Sequence, residues 1–476
     1  MHRILALMVA FILLTPLAAP AQDRTALENV AQALGAGSLK SIEFTGTGES
    51  FAVGQSSVPG APWPRFTLKS LARAINYDTA SLRSEQVLVR AADTRGGGLP
   101  AMGEARQVLM LSGDHAWRVV ADAPSPQPRD LADLQVQLWT SPHGLIKAAM
   151  ANNARVQGRT ISFAVPGRMT VKATVNGQNL VEKVEAVFSN PVLGDTPFEA
   201  TYADYRDFGG VKFPMKIRQS AGGFPALDLT VAEVRPNAPV DIQVPDAVRQ
   251  STAPYGRVTS QMVTEGVWFL TGGSHNSVLI EMKDHLIVVE GPLNDDRATA
   301  VIAEVRKLVP AKPIRYVIAS HHHFDHAGGL RAFAAEGVTV ITHEGSRAFF
   351  ERALAAPATI APDRLAKSGR KGTVESVRDK RVLTDGARTV ELHHISGSPH
   401  ADSLLMVYLP KEKLLSQADT YTPAAPNAPT PASVNPSSVN LVENLTRLGL
   451  AVDQILPLHG RIAPLADLHK AIGRVN

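Results

Sequence analysis

Ser320-His321-His322-His323-Phe324-Asp325-His326-Ala327-Gly328-Gly329 is the stretch on which the reading of this chain turns. The apolar run 314–319 before it has the character of a strand. Residues 330–336 after it read as a helix stopped by Gly337. The histidines thus fall where a strand gives way to a helix. His321 and His323 are two apart in extended chain and point the same way, whereas His322 points opposite and is expected to be structural. Asp325 and His326 enter the turn and face a second point nearby. One loop therefore offers two imidazoles to one metal ion, and a carboxylate with an imidazole to another. Imidazole and carboxylate without sulfur suit zinc, with iron or manganese as alternatives.

The rest of the chain narrows the field. Its 476 residues allow two or three domains, and 44% hydrophobic with 19% charged residues is an ordinary globular balance. Aromatics at 5% and a net charge of +4 with no basic block argue against a nucleic-acid partner. The absence of cysteine excludes disulfides, thiolate metal sites, iron–sulfur clusters and a cysteine nucleophile. Twelve of the fifteen histidines follow residue 257, so imidazole chemistry belongs to the C-terminal half.

The first 21 residues have the layout of a secretory signal: a basic start at Met1-His2-Arg3, an apolar run over 4–14, and Ala19-Pro20-Ala21 before cleavage. That run is short against the ~20 residues needed to span a bilayer, and no later segment is long and apolar enough. An exported protein, periplasmic or secreted, with no stable membrane span is expected.

Residues 22–248 read as a β-rich domain with a helix over 25–34 at its start. Alternation over 169–175, the turn Asn176-Gly177 and a return over 180–187 make one hairpin. Residues 198–205 and 211–219, joined through Phe208-Gly209-Gly210, make another, and 226–234 is a further strand. Such a meander must curl or close to bury its apolar face. Gly96-Gly97-Gly98 and 124–128 read as loops, and His115 and His143 as structural. A linker over 249–257, within an aperiodic stretch 245–256, leads to a domain over 258–476 in which strands alternate with helices. There 277–282 pairs with 286–289 and 404–408 with 413–416; 300–309 and 439–449 are helical, and 338–342 and 454–457 are strands. The proline-rich run 422–436 is expected as a semi-rigid loop near the site.

Residues 202–217, Tyr-Ala-Asp-Tyr-Arg-Asp-Phe-Gly-Gly-Val-Lys-Phe-Pro-Met-Lys-Ile, resemble the late strands of lipoprotein-carrier half-barrels of the LolA/LolB type. That resemblance implies a curved sheet with room for an apolar ligand. The motif His321-x-His323-x-Asp325-His326 resembles the metallo-β-lactamase superfamily, and the remainder of that pattern follows in order. Ser396-Gly397-Ser398-Pro399-His400 precedes a strand, Ser416-Gln417-Ala418-Asp419 closes one, and Pro457-Leu458-His459-Gly460 follows one. The resemblance implies an α/β fold, an αββα sandwich with the site at one edge of its two sheets. It implies two zinc ions: His321, His323 and His400 on the first, Asp325, His326 and His459 on the second, and Asp419 between them.

Glu290 stands where the superfamily usually has Asp, and is read as a support for a ligating His. Ala401-Asp402-Ser403 departs from the Thr-x-Gly-Ser of glyoxalase II-like members, so that loop's substrate contacts are not carried over. Asp419 stands where some lactamase classes have Cys or Ser, which disfavours antibiotic hydrolysis. His393 and His394 are alternatives to His400, but lie within the preceding strand. His275 is expected to border the site, Tyr421 and Arg461 are candidates to polarise a substrate oxygen, and His285, His343 and His469 are expected to be structural or exposed. The implied function is hydrolysis of a small-molecule ester, thioester, lactone or amide by a metal-bound hydroxide, with Asp325 and Asp419 as the catalytic carboxylates. The rival readings are a mononuclear iron-dependent oxidoreductase of the same superfamily and a binding protein for an apolar ligand.

Overall fold

The computed structural model describes residues 21–92, 94–251, 256–426 and 433–474. The expected signal lies outside the described residues except for Ala21, the first residue of the helix Ala21–Leu34.

The N-terminal half is built on one antiparallel sheet of thirteen strands. Its first strand in the chain, Ser41–Phe51, lies sixth in the order. Arg65–Asn76, Ser81–Arg90, Glu104–Ser112, His115–Val120 and Ala123–Pro126 follow in order on one side. On the other come Phe224–Pro236, Val211–Ala221, Gly194–Phe208, Val181–Asn190, Met169–Val175, Thr160–Val165 and Arg155–Gln157. Two meanders are thus joined where the first strand pairs with the last, Ile42 opposite Pro236. The predicted alternation is present: Met169, Val171, Ala173 and Val175 are buried, Thr170 and Lys172 exposed.

The apolar face is covered by the chain itself. Helices Ala21–Leu34, Leu131–Thr140 and Pro142–Ala151 place Leu27, Leu34, Leu138, Leu145 and Ile146 in one buried cluster with Leu68, Leu71, Val171 and Val184 of the sheet. Where a hollow for an apolar ligand was expected, these helices supply the covering. Residues 124–128, expected as a loop, contain the end of the edge strand Ala123–Pro126 and the start of a 3-10 turn; a strand at the rim tolerates the missing N–H of proline. The expected linker region includes a short helix, Asp246–Arg249, whose Val248 packs on Trp117 and Ile242.

The C-terminal half has two facing sheets. A seven-stranded one runs in the order Thr259–Thr264, Val267–Thr271, Ser277–Glu281, Leu286–Val289, Ile314–Ile318, Thr339–His343, Val374–Val377. A six-stranded one runs Lys380–Thr384, Thr389–His394, Leu405–Leu409, Leu414–Gln417, Gln454–Pro457, Ala463–Pro464. Val267 and Phe269 face inward onto Leu392, Met406 and Leu415, while Trp268 and Leu270 face outward onto Val301, Val305 and Phe333 of the covering helices. Helices Asp295–Leu308, Leu330–Ala335 and Glu344–Ala355 cover the first sheet, and Pro436–Leu448 and Leu465–Ala471 the second, so the layers are αββα. Asp295–Leu308 starts earlier than its periodicity alone suggested, because the Asn294 side chain accepts from the Arg297 N–H and Asp295 and Asp296 favour the first turn. Pro436 likewise opens a helix rather than ending a loop, as proline does at a first helical position. Within the proline-rich run, 427–432 lie outside the described residues.

Candidate metal centre

The parallel strands Leu286–Val289 and Ile314–Ile318 in one sheet, and Leu414–Gln417 and Gln454–Pro457 in the other, all end at the same edge of the sandwich. Glu290, residues 320–326, Asp419 and His459 follow those strand ends directly. Glu290 (φ +76°) and Asp419 (φ +58°) occupy the left-handed region, an uncommon conformation for residues with a side chain that turns the chain sharply at the strand end. The short helix Phe324–Ala327 fits close beneath because Gly328 has no side chain: a Cβ there would lie 2.0 Å from the Leu293 carbonyl oxygen. The loops are tied together by backbone bonds. The Leu405 N–H donates to Ser320 O (2.8 Å) and the Asn276 N–H to Leu458 O (2.8 Å), joining the two sheets across the edge.

All seven expected ligands meet here, together with His275. His321, His323, His400 and Asp419 form one group of donors and His275, Asp325, His326 and His459 a second; within each, the donor atoms lie within 4.8 Å of one another. Asp419 touches both groups: its Oδ2 is 3.2 Å from His321 Nε2, 3.1 Å from His400 Nε2 and 2.8 Å from His326 Nε2, and its Oδ1 is 3.0 Å from His459 Nε2.

The partners on the far side of each ring determine which nitrogen carries the proton. A carbonyl oxygen only accepts, so His323 is protonated at Nε2, which donates to Ser56 O (2.8 Å), and His459 at Nδ1, which donates to Ser274 O (3.0 Å). Glu290 Oε2 accepts from Ser320 Oγ (2.5 Å) and from His326 Nδ1 (3.2 Å). Ser320, its own proton directed at Glu290, accepts from His321 Nδ1 (3.0 Å). The atoms turned inward are then His321 Nε2, His323 Nδ1, His326 Nε2 and His459 Nε2. They face one another and the carboxylates. His326 Nε2 and His459 Nε2 are 3.1 Å apart, His321 Nε2 and His400 Nε2 are 3.3 Å apart, and His323 Nδ1 is buried with no partner among the described residues. The two groups could hold metal ions, and nitrogen and carboxylate donors without sulfur fit divalent zinc, iron or manganese.

The electrostatics have the same origin. Burial opposes ionisation of Asp325, but His326 and His275 outweigh it and hold the carboxyl well below the usual range. Asp419 is likewise held down, against burial, by His326, His400 and His459. Burial and neighbouring imidazoles keep His321 and His323 neutral, whereas Asp419 and Asp325 overcome burial to raise His326. Burial raises the Glu290 carboxyl.

Other candidates lie elsewhere. His322 is buried between Ser56 Oγ (3.4 Å) and Ser403 Oγ (3.5 Å), away from the donor groups. His393 pairs with Glu391 (2.8 Å), and His394 with the Asp402 carbonyl (2.8 Å). Tyr421 belongs to the core between the sheets, and the Arg461 guanidinium is engaged by Asp467 (2.6 Å) and the Ala424 carbonyl (2.9 Å), so neither joins the cluster in the way expected. His275, expected only to border the site, has Nε2 3.1 Å from Asp325 Oδ2. Gln55, whose amide donates to Asp325 Oδ1 (2.8 Å), and Ser56 were not anticipated; about 270 residues separate each from its partner, and no local pattern marks them.

Parts of this chain are similar to known proteins. A 2,4-dinitroanisole O-demethylase subunit alpha from Nocardioides sp. (strain JS1661) is 26% identical over 168 residues, 34% of this chain and 46% of the relative. A linear primary-alkylsulfatase from Pseudomonas sp. (strain ATCC 19151) is 26% identical over 221 residues, 38% of this chain and 41% of the relative. The chain therefore spans less than half the length of these curated relatives. Among solved structures, a metallo-beta-lactamase from Pontibacter korlensis is 18% identical with a TM-score of 0.35, covering 46% of this chain and 98% of that one. Residues 270–431 match the family described as the metallo-beta-lactamase superfamily. It is this superfamily that the span carrying all eight donors but His459 matches.

Proposed function

We propose that the chain is a dinuclear metal-dependent hydrolase, with zinc as its metal, acting on an ester-type bond of a small molecule. The observation that carries this reading is the convergence of imidazole nitrogens and two carboxylates in two adjoining groups, with His321, His323, His326 and His459 each oriented by a partner behind the ring. His321, His323 and His400 would hold one ion, Asp325, His326 and His459 with His275 beside them the other, and Asp419 would lie between. Two divalent ions supply a water acidified toward neutral pH and a Lewis acid for a carbonyl or sulfuryl oxygen. The chain's own part is positional. Asp325 Oδ2, ionised beside His326 and His275, is placed to orient an attacking water. Asp419 sets the spacing of the two donor groups.

Esters, thioesters, lactones and amides are the expected substrates, and the alkylsulfatase relative adds alkyl sulfate esters to the trial set. A mononuclear iron oxidoreductase would leave the second donor group without a role. We also read residues 1–21 as an export signal and the chain as two domains, a β-rich one followed by the metal-bearing one. The test is metal content by mass spectrometry together with turnover across those ester classes. About two zinc ions per chain, with hydrolysis abolished by a chelator and restored by zinc, is expected. A single tightly held iron with no hydrolysis of any class would overturn the proposal.

A further inference from the structure

Two loops of the thirteen-stranded sheet reach across to the donor groups. The first joins Ser41–Phe51 to Arg65–Asn76, and the second joins Ser81–Arg90 to Glu104–Ser112. In the first, the Ser56 carbonyl fixes the His323 ring and the Gln55 amide holds Asp325 Oδ1. Between those two contacts the Phe324 N–H donates to Gly54 O (3.2 Å), and the Phe324 ring meets the edge of Trp63 (5.6 Å between centroids). The same loop reaches the other donor-bearing segment, where Ser57 O accepts from the Asp402 N–H (2.9 Å).

The second loop backs the first. The Gly97 N–H donates to Gln55 O (2.9 Å), and the Gly96 N–H to Pro399 O (3.1 Å) beside His400. A Cβ on Gly97 would lie 2.1 Å from Gln55 Oε1 and 3.0 Å from His323 Cε1, so glycine is what lets the backbone approach both. The Arg90 guanidinium holds this loop by donating to the carbonyls of Gly96 (3.2 Å), Gly97 (2.6 Å) and Gly98 (2.8 Å).

We propose that the N-terminal sheet completes the metal centre, with Gln55 as the positioning residue that aims Asp325 at the second donor group. The inference rests on the dinuclear reading. A carboxylate free to rotate presents either oxygen. With Oδ1 bonded to Gln55, the plane of the group is set and Oδ2 is left facing His275 Nε2 at 3.1 Å and His326 Nε2 at 3.9 Å. The two halves of the chain are then one functional unit, because the half that holds no metal ligand orients two of them.

The test uses the full-length chain, Gln55→Met, which keeps the length and removes the N–H, and Gln55→Glu, which sets a carboxyl against Asp325. Each is stripped of metal and titrated with cobalt(II) against a competing chelator, with the visible bands of the bound metal and the thermal unfolding of the metal-free protein recorded in parallel. Loss of a partner behind a metal ligand costs roughly 10–100-fold in affinity. Gln55→Met is expected to weaken one of two binding steps by that factor and alter its cobalt bands, with the other step and the metal-free unfolding unchanged; Gln55→Glu is expected to weaken the same step further. Two wild-type-like steps in Gln55→Met would overturn the role of Gln55 and leave the dinuclear reading standing. Equal loss of both steps with a lowered unfolding temperature would reduce Gln55 to a packing residue and also overturn it. A wild-type chain that takes up no metal would overturn the dinuclear reading and this inference together.

Discussion

Replacing Asp419 with Asn tests the centre at the point where its two donor groups meet. The substitution keeps the shape of the side chain, removes its charge and exchanges one oxygen for an amide nitrogen that does not coordinate. The backbone stays unstressed, because φ at this residue is +58° and Asn accepts the left-handed region as readily as Asp, which Ala would not. The carboxylate lies 2.8–3.2 Å from four imidazole nitrogens, so an ion held by those rings feels its charge at close range. A unit charge pair about 4 Å apart at an effective dielectric near 20 is worth about 4 kcal/mol, or roughly 10³-fold in affinity. Loss of a mere supporting partner costs 10–100-fold, which sets the lower bound. The second ion, with a weaker complement of imidazoles, should leave first. Zinc affinity by chelator competition and turnover are to be measured on one preparation, with unfolding of the metal-free protein as the control for folding. Two zinc ions held at wild-type affinity with wild-type turnover would show that Asp419 does not lie between the metals.

Glu290→Gln removes the charge behind His326 and Ser320 and is expected to weaken zinc binding roughly 10–100-fold by chelator competition, with the αββα core intact by circular dichroism. Arg297 is fully buried and donates to the carbonyls of Arg257 (2.8 Å), Thr271 (3.2 Å) and His275 (3.2 Å). Arg297→Met should therefore cost at least ~2 kcal/mol in denaturant unfolding. His143, buried against the Leu34 carbonyl (3.1 Å), has its pKa lowered by burial to about 4. Its neutral form stabilises the fold fully above about pH 6.5, and up to about 3 kcal/mol is lost as pH falls from there to about 4. The urea midpoint of the metal-free His143→Leu variant should fall less steeply over that range than that of the wild type; parallel curves would refute the assignment. Mass spectrometry of the exported protein should find Gln22 as the first residue.

What was readable in advance was what is local. Residues 321–326 state their geometry within six positions, because extended chain and turn geometry orient neighbours predictably. The later donors were placed through the order of strand ends in a known pattern rather than through spacing of their own. The helix starts at Asp295 and Pro436 escaped periodicity because caps and prolines, not apolar residues, set them. His275 and Gln55 could not have been assigned from their surroundings. The first reaches the centre because Arg297 and Asn276 hold its loop, and the second because a different sheet lies alongside. The covering of the N-terminal sheet was missed for a similar reason: helices Leu131–Thr140 and Pro142–Ala151 sit between the two meanders in sequence, and only the pairing of the outermost strands folds them back onto both.

That pairing has a kinetic consequence. The seam between Ser41–Phe51 and Phe224–Pro236 joins segments nearly two hundred positions apart, so neither meander alone produces it, and the chain must be available through residue 236 before it closes. Nonlocal strand pairing of this kind is slow, since a long loop must be closed before any contact rewards it. Until then, both partner strands present open edges to other molecules. The sandwich that follows, with mostly short connections between neighbouring strands, is under no such delay. Refolding should therefore proceed out of step, with the C-terminal sandwich assembling early and waiting for the sheet whose loops bond His323 and Asp325. Full metal affinity would then be the last property to return.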